Sequence, residues 1–214
     1  MKLNLGCGAQ VVDGWTNVDF GVGARFAKVP LFSALNRKLG LFKQDWDPRI
    51  HLHDLTRPFP WPDASVDVVY TSHTLEHFAR EAGLTFLTEC RRVLKAGGIL
   101  RIVVPDLQHW VREYTEGRMA AEAFVESIGV LYRLSGNPIK DRLASFIQYP
   151  HRCLYDTPAL LRIVTGLGFE ARSRAGFDSG IPDIRVIEME EQTRNAVVVE
   201  GVKVSGAVSA SAAR

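Results

Sequence analysis

Residues 66–70 (VDVVY) and 99–104 (ILRIVV) are short runs apolar enough to lie as strands inside a sheet covered on both faces. Between them, residues 78–94 place Phe86, Leu87, Cys90, Val93 and Leu94 at the i, i+1, i+4, i+7, i+8 spacing of one helical face. Arg91, Arg92 and Lys95 fall where cations suit the end of a helix, and Gly97-Gly98 supplies a left-handed stop. Strand, helix, glycine turn and strand make a βαβ unit with a right-handed crossover, so the fold class is α/β.

Working towards the N-terminus, residues 50–55 read as a strand ending near Asp54 and residues 16–20 as one ending at Asp19. Residues 3–5 form a first strand that runs into Gly6-Cys7-Gly8. The connection from Gly6 to Trp15 leaves room for only a turn or two of helix. Towards the C-terminus, Asp156-Thr157-Pro158 starts a helix whose apolar face is Leu160, Leu161, Val164 and Leu167, ended by Gly168. Residues 169–174 and 195–204 are the closing strands.

Two stretches exceed this pattern: a helical excursion at 21–49 (Phe32, Leu35, Leu39, Phe42) and another at 107–149, helical around 110–133. Both follow strand ends on the side where open α/β sheets bind ligands, which makes both candidate lids. A single domain over 1–204 with these insertions is expected, and 205–214 reads as a frayed tail. An apolar face around Phe124, Ile128 and Leu131 makes a homodimer a possible assembly.

The chain has 214 residues, 46% hydrophobic and 23% charged, with net charge +2. That balance suits a soluble globular protein, and the mixing of charges argues against a nucleic-acid partner, which needs a clustered basic surface. No apolar run reaches the roughly 20 residues that span a bilayer, and no signal peptide is read. Cys7, Cys90 and Cys153 lack metal-ligand spacing and read as reduced thiols, so a cytoplasmic location and no metal are expected.

The strand ends carry the chemistry. Gly6-x-Gly8 lets the backbone turn sharply and lets a ligand approach where a Cβ would intrude, although Gly-x-Gly is often only a turn. Val11 stands where a dinucleotide fingerprint wants its third glycine. Asp19 is either a loop cap or an acceptor for a ribose diol. Asp54 can accept from an adenine amino group while Leu55 covers the ring, or Asp54 can form an Asx turn before Arg57-Pro58. Residues 71–78 (TSHTLEHF) put polar groups beside the glycine turn. A metal site from His73, His77 and Glu76 is disfavoured, because a third ligand at convincing spacing is missing.

The order LNLGCG, VDF, HDL, FPWPDASVDVVYTSHTLEHF and ECRRVLKAGGILRIVVPD resembles the class I S-adenosylmethionine-dependent methyltransferases. Within them it is similar to a small bacterial branch with Leu-Glu-His after the fourth strand. The resemblance covers about residues 2–106, and HRCLYDTPALLRIVTGLGFEA resembles that branch's C-terminal helix and strand. It implies a Rossmann-like three-layer sandwich, with a mostly parallel seven-stranded sheet and an antiparallel last strand. It implies S-adenosylmethionine as cofactor, with Gly6, Cys7 and Gly8 under the methionine part and Asp19 and Phe20 at the ribose. Asp54 and Leu55 would hold the adenine, and Ser72 and His73 would line the sulfonium side. Asn4 stands where the family usually has an acidic residue that orients the methionine amino group.

The expected activity is methyl transfer to a small-molecule or sugar acceptor, most simply at oxygen. A hydroxyl acceptor needs a proton acceptor, for which His73, His77, Asp106 and His151 are the candidates, although His151 equally reads as a loop anchor. Nucleobase methylation is disfavoured, because Thr71-Ser72-His73-Thr74 replaces the Asp/Asn-Pro-Pro-aromatic motif. The alternatives are a non-catalytic domain of the same fold and, less favoured, a nicotinamide-dependent oxidoreductase.

Overall fold

The computed structural model describes residues 1–30, 46–132, 142 and 148–205. Seven strands form one sheet: β1 (Lys2–Leu5), β2 (Thr16–Asp19), β3 (His51–Leu52), β4 (Val66–Ser72), β5 (Leu94–Pro105), β6 (Phe169–Ser173) and β7 (Ala196–Lys203). Their order is β3-β2-β1-β4-β5-β7-β6. β7 runs antiparallel to both of its neighbours, and every other pairing is parallel. The sheet is therefore mostly parallel with an antiparallel last strand, as expected. Strand order reverses at β1, between β2 and β4, which opens a crevice at the carboxyl ends of those strands.

Helix α1 (Val22–Phe26) follows β2, and α2 (Arg80–Val93) joins β4 to β5. Helices α3 (Leu107–Thr115) and α4 (Ala121–Ser127) follow β5, α5 (Thr157–Gly166) precedes β6, and α6 (Glu190–Thr193) precedes β7. One face of the sheet buries Leu3, Leu5, Leu100, Ile102, Val197 and Val199 against Phe86, Leu87 and Cys90 of α2 and Leu160 and Val164 of α5. These are the apolar helical faces read from the sequence. The other face packs Val68, Tyr70, Val103 and Val198 against Trp15 and a strap carrying Ile181, Ile184 and Ile187. A register shift between Val66 and Val68 in β4 turns these two valines to opposite faces.

Four details depart from the expected elements. Residues 6–15 contain turns and no helix, so the Gly-x-Gly loop lacks the following helix that a dinucleotide fold aims at a pyrophosphate. The third strand shrinks to His51–Leu52, since His53 already turns away with its amide bonded to the Asp19 carbonyl. Helix α2 starts at Arg80 and gives way directly to β5, with Gly97 (φ +76°) inside that strand's first half. Among the described residues of the second insertion, up to 132, the single expected helix is two helices, parted near Gly117, whose φ is +71°.

Asp156 caps α5 by accepting from the Ala159 amide, with Pro158 in the first turn. Arg92 holds the FPWPD segment through the carbonyls of Phe59 and Trp61 and the carboxylate of Asp63. Residues Phe32, Leu35, Leu39 and Phe42 of the first insertion, and the tail from 206, lie outside the described residues. Of the apolar residues offered for dimerisation, Leu131 is exposed, while Phe124 is half-buried against Tyr114. Among the described residues, no helix is long and apolar enough to cross a membrane.

Candidate active site

The carboxyl ends of β1 to β4 surround a cleft of about 770 Å³. Its floor is the β1–β2 turn, where the amides of Gly6 and Cys7 both donate to the Val18 carbonyl. Gly6 (φ +73°) and Gly8 (φ +57°) occupy left-handed conformations that favour glycine. They are needed for different reasons. A Cβ on Gly6 would sit 2.0 Å from Thr74 Oγ1, whereas a Cβ on Gly8 would meet nothing within 4 Å and would enter the cleft.

Asp19 ends β2 with its carboxylate tied to this floor: Oδ2 accepts from the Gly8 amide at 2.9 Å and Oδ1 from the Gly21 amide at 2.6 Å. A carboxylate has about four acceptor sites, so two remain for a ligand diol. Phe20, exposed beside it, has the Arg25 guanidinium over its ring. Asp54 forms the Asx turn that the sequence left open, accepting from the amide and hydroxyl of Thr56, and it still borders the cleft beside buried Leu55.

Gly6, Gly8, Asp19, Phe20, Asp54, Leu55 and His73 thus line one cavity, while Asn4, Cys7 and Ser72 do not. Asn4 is buried on the far side of β1, where it donates to the Asn17 carboxamide and so braces the loop from beneath. The Cys7 side chain turns into a small cluster with Ala24 and Ile50, and burial followed by the nearby Asp19 charge pushes its thiol up to about 12. The Ser72 hydroxyl is taken by the Gln192 side chain.

The proton-acceptor candidates separate in the same way. Asp106 caps α3 through the Gln108 amide and does not line the cleft. His151 makes the contacts of a loop anchor: its amide donates to the Gly129 carbonyl and its Nδ1 lies 2.8 Å from the Ile128 carbonyl. His73 does line the cleft, in a left-handed conformation (φ +49°) that costs a non-glycine residue about 1–3 kcal/mol. Both of its ring nitrogens face protein groups, Nε2 the Gln192 carbonyl at 2.9 Å and Nδ1 the Glu76 carboxylate at 3.4 Å. Burial alone would lower its pKa, but Glu76 and the Gln192 carbonyl together outweigh that and raise it.

Of the other cleft residues, His77 and Arg152 were sequence candidates, whereas Trp46 and Tyr149 were not singled out. Trp46, at the end of the first insertion, packs so closely on Gly23 that a Cβ there would lie 2.1 Å from the indole. His77, Tyr149 and Arg152 form the opposite wall with Thr74 and Phe78. Both insertions contribute lining residues, the first at Gly21, Val22, Gly23 and Trp46 and the second at Tyr132, Gln148 and Tyr149. The spacing around His77 was visible in TSHTLEHF, but nothing in a linear sequence showed that residues 149–152 close over it.

Residues 3–102 match the family model described as a methyltransferase domain. A protein of Mycolicibacterium smegmatis described as a probable S-adenosylmethionine-dependent methyltransferase is 40% identical over 60 residues. That match takes in 28% of this chain and 23% of the relative's length. The fold is Rossmann-like, an α/β architecture shared with solved structures at low sequence identity. It is similar to a structure titled as S-adenosylmethionine-dependent methyltransferases from Methanosarcina mazei (TM-score 0.54, 15% identity, 96% of this chain and 92% of that one). It is also similar to an O-methyltransferase family protein from Burkholderia thailandensis (TM-score 0.50, 14% identity, 96% and 51%). The methyltransferase-domain match ends within β5, so it contains the four strand ends of the cleft and excludes the wall at 149–152.

The residues of the cleft fit an adenosyl group. A bare glycine floor, a strand-end carboxylate with spare acceptor sites and an apolar Leu55 beside Asp54 are the donor–acceptor set that a ribose and an adenine require.

Proposed function

We propose that the chain is an S-adenosylmethionine-dependent methyltransferase that acts on a small-molecule or sugar acceptor, at oxygen. The observation that carries this reading is the convergence of Gly8, Asp19, Asp54, Leu55 and His73, from four strand ends, on one cavity. Asp19 would accept from the ribose hydroxyls, Asp54 from the adenine amino group, and Leu55 would cover the ring. Gly6 and Gly8 would pass beneath the methionine part. When bound, the cofactor supplies an electrophilic methyl carbon.

What the chain adds is orientation and the exclusion of water. Holding the acceptor in line with the methyl–sulfur bond is worth roughly 7–11 kcal/mol. Trp46, Tyr149 and Arg152 line the cleft outside the four strand ends, and these residues would contact an acceptor. The fit of Arg152 to an anionic or hydroxyl-rich acceptor supports a sugar or small acid over an apolar one. A screen of labelled-methyl transfer over phenols, sugars, carboxylates and amines tests this reading. Transfer to a hydroxyl compound is the expected result. Transfer to amines alone would overturn the oxygen assignment, and cofactor binding without transfer to any class would favour a non-catalytic domain.

A further inference from the structure

The cleft wall around residues 73–77 contains an electrostatic arrangement that methyl transfer by itself does not explain. Glu76 is 1% exposed, and neither carboxylate oxygen has a hydrogen-bond partner among the described residues. A buried carboxylate is costly unless an opposite charge or hydrogen bonds compensate it. Two imidazole nitrogens face Glu76, His73 Nδ1 at 3.4 Å and His151 Nε2 at 4.0 Å. His77 Nδ1, on the next residue, is likewise buried without a hydrogen-bond partner among the described residues.

The protonation of His151 follows from its other contact. Nδ1 faces the Ile128 carbonyl, which can only accept, so in the neutral ring Nδ1 carries the hydrogen and Nε2 carries the lone pair. That lone pair faces the Glu76 carboxylate. Two electron-rich groups opposed in a buried site call for a positive charge between them. An imidazole whose second nitrogen donates to a backbone carbonyl is also the usual state of a metal-bound histidine.

We propose that Glu76, His77 and His151 form a binding site for a divalent transition-metal ion, with Zn²⁺ the best match to two imidazoles and one carboxylate. Their ligand atoms all lie within 4.8 Å of one another. Ligands around a tetrahedral zinc ion stand about 3.4 Å apart, so small side-chain rotations close the site. The backbone sets the arrangement. The amides of Arg152 and Cys153 both donate to the Glu76 carbonyl, which locks the segment carrying His151 against the turn carrying Glu76 and His77. Gly129 leaves the His151 ring its space, since a Cβ there would lie 2.7 Å from it.

Three protein ligands would leave a fourth position, and of the three His77 lines the cleft. If the methyltransferase reading holds, an acceptor hydroxyl bound at that position releases its proton to solvent more readily. Its oxygen then bonds to the methyl carbon as the carbon–sulfur bond breaks and the electron pair returns to sulfur. The metal site itself does not depend on that reading.

The test is titration of tag-free, chelator-treated full-length protein with Co²⁺, followed by the visible ligand-field absorption and by displacement with Zn²⁺. Stoichiometric binding is expected, with a tetrahedral-type spectrum that Zn²⁺ abolishes. Glu76→Gln, His77→Gln and His151→Gln should each weaken it by about 10–100-fold or more, while His109→Gln on α3 should not. Folding of each variant is checked by circular dichroism, and cofactor affinity is measured separately on the metal-free protein, so loss of one function is distinguishable from loss of the other. Absence of stoichiometric binding by the folded wild type would overturn the proposal, as would equal affinity in folded His77→Gln and His151→Gln.

Discussion

Arg101, in the middle of β5, is wholly buried and pairs with the equally buried carboxylate of Glu188, which lies between β6 and β7. The same guanidinium reaches Glu200 on β7 at 3.3 Å and donates to the carbonyls of Ala175 and Asp178. This network fastens the strap 175–190 over the sheet face opposite α2 and α5.

Removing one partner of such a pair strands the other charge in the interior. Arg101→Met is therefore expected to lose about 3–5 kcal/mol of stability, measured by urea unfolding. Replacing Arg101, Glu188 and Glu200 together with apolar residues should recover part of that loss. A single variant as stable as wild type would contradict the account of the strap.

The two floor glycines should fail in different ways. Gly6→Ala meets Thr74 and a left-handed backbone, so it should lower stability by about 1–3 kcal/mol or more. Gly8→Ala pays only the conformational cost of about 1–2 kcal/mol, because its Cβ meets no protein atom. Its methyl group instead occupies ligand space, so cofactor affinity should fall further than stability does. Thermal denaturation and calorimetry on the two variants check this, and equal behaviour in both assays would argue against an open floor at Gly8.

Cys7 should behave as a buried thiol and not as a nucleophile. Its pKa is raised from 9.0 to about 12, by burial first and by the Asp19 charge second. Iodoacetamide at pH 8 should label half-buried Cys153 well before Cys7, as read by peptide mass spectrometry. Above pH 9 the unfolded chain releases the Cys7 proton while the native state keeps it. Its contribution to stability is thus complete below pH 9 and is lost between there and about pH 12. Labelling of Cys7 at the rate of Cys153 in the folded protein would contradict its placement.

How much of this was legible depends on whether the signal is local. The βαβ unit was, because the stripe Phe86-Leu87-Cys90-Val93 and the runs VDVVY and ILRIVV obey periodicities set within one segment. Asp19 and Asp54 were visible because strand ends are marked by polar residues. Arg101 was not: inside an apolar strand it read as part of the run, and its partners lie 87 and 99 residues away in sequence. His151 was singled out, but its neighbours Glu76 and Ile128 come from elements that only folding brings together. Asp106 looked chemical because it ends β5, but a strand end that is also a helix start gives a carboxylate a second use, the cap of α3, which periodicity alone did not show.

The account rests on the cleft being an adenosyl site with Asp19 at its ribose end. Calorimetric titration of S-adenosylmethionine into wild type and Asp19→Ala, at equal fold by circular dichroism, tests it most directly. The wild type should bind, and the variant should lose about 1.5–3 kcal/mol, roughly 10- to 150-fold in affinity. No heat of binding to the wild type, or the same dissociation constant in both proteins, would contradict it.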